Sequence, residues 1–391
     1  MRTDTTVTAA DPLSVLRTRT SEKWSRYSGD VLPMFIAEMD FPLAPAIGEA
    51  LGRALERGDT GYVNPLKTGA RDAFAAFAED SWGWSPAVER MGITTDVSVV
   101  IVESLRQLIS PGDGVIITPP VYPPFFDLVP EGGGTVVEVP LVDDGSAHSL
   151  DLPGIDRALR AGARALLLCN PHNPLGMLPS RDELSELSEI VARHEAFVVS
   201  DEIHAPLTHR GKTFTPYLTV SDAARRHAIA AESGSKAFNL AGLKCALLVT
   251  ESDPMTKVIK GMPEEVGFRT GMFGLLATEA GFAHSRDWLA GTIATIEANV
   301  ELLADQLETR LPAVRFRRPS ASFLAWLDVS GLGLGAEPAA AILDRAKVAV
   351  VEGTAFGRQS AGHVRMNLAC SPETVIEAVD RMVAMVEARG D

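Results

Sequence analysis

Apolar residues follow two rhythms along this chain. Through its middle, short continuous runs, GVIIT (114–118), ALLLC (165–169), FVVS (197–200), AIAAE (228–232) and CALLV (245–249), are separated by longer amphipathic stretches. Runs of this length bounded by turn formers predict strands buried on both faces, and their alternation with helical stretches predicts an α/β architecture with a mostly parallel, doubly wound sheet. The clearest intervening helix starts at Ser180, with Glu183 placed to close a capping box and Leu184, Leu187, Ile190 and Val191 on one face. Helices are also predicted at 45–57, 68–80, 286–310, 337–346 and 372–388, the last three around strand-like segments 323–329 and 363–368. That second pattern is α+β. The expected organisation is therefore a tail and part of a smaller unit in 1–44, a large ligand-binding unit in 45–285, and the rest of the smaller unit in 286–391, with the Thr-rich residues 1 to 20 as a loose tail.

Composition narrows the class. A chain of 391 residues with 46% hydrophobic and 22% charged residues has an ordinary globular make-up, with no internal repeat or low-complexity linker. A net charge of -15 with scattered Lys and Arg leaves no basic stripe, so nucleic acid is not an expected partner. No apolar stretch is long enough for a spanning helix and the N-terminus lacks the pattern of a secretory signal, so the expectation is a protein with no membrane partner. The three dispersed cysteines, Cys169, Cys245 and Cys370, sit in apolar surroundings and read as buried free thiols of a reducing cytoplasm.

Ligands of an open parallel sheet collect at the carboxyl ends of its strands. Four predicted strands are each followed there by polar groups of one kind of chemistry. PPVYPPF brings Tyr122; NPHNPLG brings Asn170 and Asn173 in a proline-held turn; DEIH brings Asp201 and His204; SGSKAFNLAGLK brings Ser233, Ser235 and Lys236. Taken singly each has a plain explanation: a solvated lysine, a helix cap, a packed aromatic, ordinary turns. Together they match the needs of pyridoxal 5'-phosphate (PLP), which takes a lysine amine, a carboxylate at its pyridine nitrogen, a polar group at its phenolic oxygen, an aromatic face and phosphate donors. Lys236, Asp201, Asn173, Tyr122 and Ser233 fit those places in turn.

The motifs PHNPLG, SDEIH and SGSKAFNLAGL resemble the fold-type I, class I/II aminotransferase superfamily of PLP enzymes. EKWSRYSGDVLPMFIAEMDFPLAPAI, DTGYVNP, PPVYPPF, His204, FLAWLDVSGLGL and VVEGTAFGRQSAGHVRMNLAC are similar to its cystathionine β-lyase branch, the MalY/PatB-like C-S lyases, and the resemblance spans roughly 20–388. It implies that Lys236 carries the cofactor and serves as general base, with Asp201 at the pyridine nitrogen and Asn173 and His204 near the phenolic oxygen. It implies that Tyr122 stacks on the ring, that Arg365 clamps the α-carboxylate of an amino-acid substrate, and that Tyr62 reaches the neighbouring subunit's cofactor phosphate, so that a homodimer completes the site. Aligning VVIVESLRQL with the phosphate turn puts Val102, Glu103 and Ser104 in the cup beside Ser233, Ser235 and Lys244, where a carboxylate at Glu103 and a lysine in place of the usual arginine are departures. Phe35 and Glu38 stand where Trp and Asp are more usual. The implied reaction is α,β-elimination on L-cystathionine or another cysteine S-conjugate; transamination, or a regulatory PLP-binding role, would share the same scaffold.

Overall fold

All five apolar runs fold as neighbouring strands in a computed structural model of the chain, which describes residues 7–388. The strands are β1 (Met91–Thr94), β2 (Gly114–Ile117), β3 (Thr135–Glu138), β4 (Ala163–Cys169), β5 (Phe197–Asp201), β6 (Ala228–Glu232) and β7 (Ala246–Val249). Their order is β1-β7-β6-β5-β4-β2-β3, and β7 alone runs against its neighbours. The doubly wound α/β sheet expected from the alternation is present. Its two edge strands were not predicted, because four-residue segments carrying Gly or flanking Thr and Glu show no strand rhythm of their own. Register sets the site: Cys169 pairs with Asp201 and Asp201 with Ala231, so β4, β5 and β6 end level with one another.

Helices α1 (Pro45–Glu56), α2 (Ala70–Trp82), α3 (Val97–Leu108), α4 (Arg181–Arg193), α5 (Met272–His284) and α6 (Arg286–Arg310) cover the sheet. The capping box at α4 is formed, with Ser180 Oγ accepting from the Glu183 N–H at 3.1 Å and Glu183 Oε2 accepting from the Ser180 N–H at 3.3 Å. Helix α5 was not predicted, since it is apolar on nearly every face and gives no amphipathic period, and α3 was not predicted because its stretch VVIVESLRQL is read as a phosphate turn. A second sheet, β8 (Arg315–Phe316), β9 (Leu324–Asp328), β10 (Val351–Glu352) and β11 (His363–Asn367), is antiparallel in the order β8-β9-β11-β10. With α7 (Pro338–Ala346) and α8 (Pro372–Glu387) it encloses its own core, to which Leu32 and Met34 also belong. Helix α6 joins the two cores, giving Leu289, Ile293 and Ile296 to the first and Val300, Leu303 and Leu307 to the second. Among the described residues no helix is long and apolar enough to cross a membrane, and all three cysteines are buried and free.

The loose tail is corrected for the part that can be described; residues 1–6 lie outside the described residues. Thr8 donates its N–H to Gly291 O at 3.2 Å and accepts from Thr295 Oγ1 at 2.8 Å, and Asp11 N–H reaches Asp40 O at 2.9 Å. A short helical turn, Glu22–Ser25, then sinks Lys23 into the protein, where its Nζ meets Asp40 Oδ1 at 2.8 Å with both side chains 2% exposed. Burial raises the Asp40 pKa, and Lys23 and the Trp24 indole N–H oppose that rise. A Lys23→Ala variant leaves this carboxylate buried without its cation and should lower the unfolding free energy by about 3–5 kcal/mol. Urea denaturation of the two proteins measures it, and a loss below about 1 kcal/mol would show that the pair is solvated rather than buried.

Candidate active site

The level ends of β4, β5 and β6 open into a cavity of about 470 Å³, closed on the far side by β11 and by residues 36 and 37. Tyr122, Asn173, Asp201, His204, Ser235, Lys236, Lys244 and Arg365 all line it. Residues scattered over more than half the chain thus meet in one space.

Lys236 lies in the turn after β6 and donates from Nζ to the Ala37 carbonyl at 2.9 Å. Burial, followed by the Arg365 charge, lowers its pKa to about 8, while Asp201 and Glu38 pull the other way. Asp201 ends β5; burial raises it to about 7, opposed by the Ile203 N–H at 3.2 Å and by Lys236. A cation held against this carboxylate would reverse the shift, because a nearby positive charge favours the ionised form. His204 is buried, with its ring edge toward Phe323 and no partner for Nδ1; burial, then Lys236 and Arg365, lower it to about 3 and leave the imidazole neutral. Tyr122 is half-buried against Phe125, its pKa raised by burial and next by Asp201.

Arg365 projects from β11 into the cavity. Its Nη1 donates to Asn173 Oδ1 at 3.0 Å and its Nη2 to the Phe35 carbonyl at 3.1 Å, while Nε has no partner. The guanidinium lies over the Phe356 ring, and burial lowers its pKa to about 10. No carboxylate pairs with it among the described residues. A desolvated arginine whose contacts are neutral oxygens retains most of its capacity for an incoming carboxylate.

The expected phosphate cup needs correction. Val102, Glu103 and Ser104 are inner residues of α3 and do not line the cavity; Glu103 Oε1 instead accepts from Arg106 at 2.8 Å, and Ser104 is fully buried. The start of α3, at Thr95, Asp96, Val97 and Ser98, lines it instead. The sequence did hold the signal: Asp96 before an apolar run is an N-cap, and its carboxylate accepts from Val99 N–H at 3.2 Å. Ser233 does not line the cavity; its hydroxyl donates to Cys245 O at 2.7 Å and accepts from Ser235 N–H at 3.1 Å, holding the turn. Lys244 stands at this end, 3.5 Å from Asp96. Tyr62 is fully exposed and lies outside this chain's own cavity. The side chains of Phe35 and Glu38 turn to Tyr27 and to Ser21, respectively, so Phe35 offers the site its backbone, and Glu38 its backbone and the charge that acts on Lys236.

That backbone was missed entirely by sequence reasoning. Between Phe35 and Met39 every carbonyl receives a side-chain donor: Phe35 O from Arg365, Ile36 O from Asn367 at 2.7 Å, Ala37 O from Lys236, Glu38 O from Asn367 at 2.6 Å and Lys23 at 3.2 Å, and Met39 O from Asn239 at 2.9 Å. We refer to this segment as the strap.

A sheet of this topology with a lysine, a carboxylate and an aromatic ring at its strand ends defines the fold-type I, PLP-dependent aminotransferase-like class. The chain belongs to the family "Aminotransferase class I and II", which it matches over residues 30–382. It is 40% identical over 389 residues to a putative cystathionine beta-lyase of Mycobacterium leprae, covering 94% of this chain and 95% of the relative. It is 34% identical to the cystathionine beta-lyase of Corynebacterium glutamicum, covering 96% and 99%. The crystal structure of a putative PLP-dependent beta-cystathionase from Corynebacterium diphtheriae superposes with a TM-score of 0.92 at 31% identity, covering 97% and 99%.

Beneath Asp201 lies a second acidic feature that the motifs did not announce. Glu202 and Glu232 are fully buried and meet side chain to side chain. Glu202 Oε1 accepts from Ser200 Oγ at 2.8 Å and Tyr217 N–H at 2.9 Å, whereas neither oxygen of Glu232 has another donor. Burial without a cation raises both pKa values, which favours retention of one proton by the pair. Because the folded values lie above the unfolded ones, the stability this proton contributes is complete below the ordinary glutamate pKa of 4.5 and is lost as pH rises above it. The unfolding constant should rise by about tenfold per pH unit for each proton the fold retains and the unfolded chain has released. Glu232→Gln keeps a donor toward Glu202 without titrating and should remove one proton's worth of that slope. Denaturation series from pH 5 to 8 decide the matter, and parallel slopes for the two proteins would refute the shared proton.

Proposed function

We propose that this chain is a PLP-dependent carbon-sulfur lyase that carries out α,β-elimination on L-cystathionine or a related cysteine S-conjugate, giving pyruvate, ammonia and a thiol. The observation that carries the reading is the pairing of a lysine of lowered pKa with a buried arginine lacking any carboxylate partner, in one cavity. The cavity suits PLP by its donor set: Asp201 for the ring nitrogen, Tyr122 for the ring face, Lys236 for the carbonyl carbon, and the start of α3 with Ser98, Ser235 and Lys244 for the phosphate. When bound, PLP supplies an electron sink for the pair left behind as the α C–H bond breaks. Arg365 binds the substrate's α-carboxylate bidentately, with Asn173 holding the guanidinium in the plane that suits it. Lys236 Nζ, once free, takes the α-proton; at about 8 its pKa lies near neutral pH, where a base is both available and strong enough. Asp201 keeps a proton on the ring nitrogen, and neutral His204 adds no competing charge. Ile36, Ile101 and Ile203 exclude water from the same space.

The chain's two units divide this work, with 45–285 carrying the cofactor side and 1–44 with 286–391 bringing Arg365 and the strap. We place the working protein as a homodimer in the cytoplasm. Tyr62 is fully exposed, and Leu43, Leu55 and Leu66 expose further apolar surface in the same stretch of chain, which supports a partner there. Buried free thiols suit a reducing compartment.

Incubation with L-cystathionine should release pyruvate, ammonia and thiol catalytically with no 2-oxo acid added. Lys236→Ala should reduce turnover by about three orders of magnitude or more, and Arg365→Ala should mainly raise KM, by the equivalent of about 2–5 kcal/mol. If pyruvate never forms, yet added 2-oxoglutarate yields a new amino acid stoichiometrically, the protein is an aminotransferase on this frame. Shared sites have their own test. Lys236→Ala and Tyr62→Ala chains, each inactive, should regain about a quarter of wild-type activity when mixed equally and allowed to exchange, since a heterodimer of the two contains one intact site. Absence of any recovery in a mixture shown to contain heterodimers would place Tyr62 outside the partner's site.

A further inference from the structure

Asn239 stands in the turn that carries Lys236, with φ of 57°, a left-handed conformation that asparagine tolerates better than most side chains. Its Oδ1 accepts the Met39 N–H at 2.9 Å and its Nδ2 donates to the Met39 carbonyl at 2.9 Å, so one amide side chain pairs with a single residue of the strap as a neighbouring strand would. Two residues earlier on the strap, the Ala37 carbonyl accepts from Lys236 Nζ at 2.9 Å. The contacts close a ring: from Lys236 to Ala37, along the strap to Met39, across to Asn239, and back through the turn to Lys236. On the other flank Asn367 donates to Ile36 O and Glu38 O, and Arg365 to Phe35 O, so the same short segment is fixed to β11.

We infer that Asn239 is a positioning residue: it fixes the Ala37 carbonyl as the docking point for the Lys236 amine whenever that amine is free, and through the strap it sets the separation between Lys236 and Arg365. The reacting amine must swing away from the carbon it was bonded to and still return to the α-proton of a substrate whose carboxylate is held by Arg365. With Asn367 holding Ile36 O and Glu38 O and Asn239 holding Met39, the Ala37 carbonyl gives the amine one resting place, and the small reach between rest and reaction is what a lysine base needs. The inference rests on Lys236 being the reacting amine of the proposed lyase. It assigns to Asn239 a role that neither cavity lining nor charge would indicate.

Asn239→Gly suits the left-handed backbone and removes both bonds; Asn239→Asp also tolerates that backbone, keeps the acceptor and turns the donor into a repulsion against Met39 O. The first readout needs no turnover. In the full-length chain freed of cofactor, the pH dependence of Lys236 labelling by an amine reagent, read by peptide mapping, gives the ionisation constant of the amine. Charged and titratable groups facing it are Asp201, His204, Arg365, Glu38 and Lys244, none of which either variant alters. Loss of a fixed carbonyl acceptor disfavours the ammonium, so Asn239→Gly should shift that constant by about threefold or more toward the neutral amine; Asn239→Asp adds a carboxylate that pulls the other way and is read by kcat and by amide exchange. In the holoenzyme kcat should fall by about tenfold or more, with a smaller change in KM because Arg365 keeps Asn173. The Met39 amide should be strongly protected from hydrogen exchange in the unaltered holoenzyme and lose that protection in the variants. An Asn239→Gly variant that loses thermal stability while the lysine titrates as in wild type would reduce Asn239 to a structural role and overturn the inference, as would rapid exchange of the Met39 amide in wild type. Because the titration involves no substrate, it stands or falls apart from the cystathionine assay.

Discussion

Every carbonyl of the strap, from Phe35 to Met39, is spoken for by a side chain, and the site depends on that fact. The donors come from the turn after β6, from β11 and from the N-terminal turn that carries Lys23, so one short irregular segment ties together parts of the chain up to 331 residues apart. A peptide segment without a sheet or helix of its own would leave its polar groups unsatisfied once buried; here the functional groups themselves satisfy them. The same bonds that keep the strap in place also aim Arg365 and rest Lys236. Binding geometry and local folding are consequently one problem in this protein.

Electrostatics then separates the roles of groups that share a single environment. Burial acts on all of them, yet the outcomes differ because the compensation differs. Asp201 has one backbone donor and Lys236 nearby, and remains raised to about 7. His204 faces two cations and is driven neutral at about 3. Lys236 sits between Arg365, which lowers its pKa, and Asp201 with Glu38, which raise it, and comes to rest at about 8. Glu202, just past the end of β5, and Glu232, the last residue of β6, have no cation beside them, and burial together with the neighbouring carboxylates raises both so that a further full negative charge beside Asp201 is disfavoured.

Much of this was legible in the sequence, and what was not has physical reasons. Lys236, Asp201, Asn173, His204 and Tyr122 could be read because strand ends in a parallel sheet converge whatever the helices between them do, so a polar residue just after an apolar run has a predictable address. Arg365 came only through resemblance, since an arginine in an antiparallel strand carries no such address. Helix α3 carries an amphipathic period of its own, but the resemblance placed the phosphate turn inside it at Val102, Glu103 and Ser104, whereas the helix start at Thr95 to Ser98 is what lines the cavity. The N-terminal threonines suggested looseness, but Thr8 is held by its backbone N–H and C=O as well as by its hydroxyl on Trp288 O, partners that composition does not report. Asn239 and Asn367 were invisible for the same reason: their partners are main-chain atoms of a distant segment, and any sequence supplies those atoms.

The distribution of charge along the cavity also orients what enters it. Lys244 and the start of α3 line the cavity beside the carboxylate of Asp96, Arg365 lines it beside Asn173, and the buried Asp201 lines it as well. A molecule with two anionic groups could settle against Lys244 and Arg365, but a cofactor phosphate at the first leaves only Arg365 for a substrate carboxylate. The amino group of an α-amino acid held there by its carboxylate has Lys236 as its near neighbour, because the strap links Phe35 O, held by Arg365, to Ala37 O, held by Lys236. Its side chain is then left to the apolar walls, which rank substrates by shape more than by charge. On the proposed reading, discrimination among cysteine conjugates falls to apolar walls that include Ile36, Ile101 and Ile203 rather than to Lys236 and Arg365.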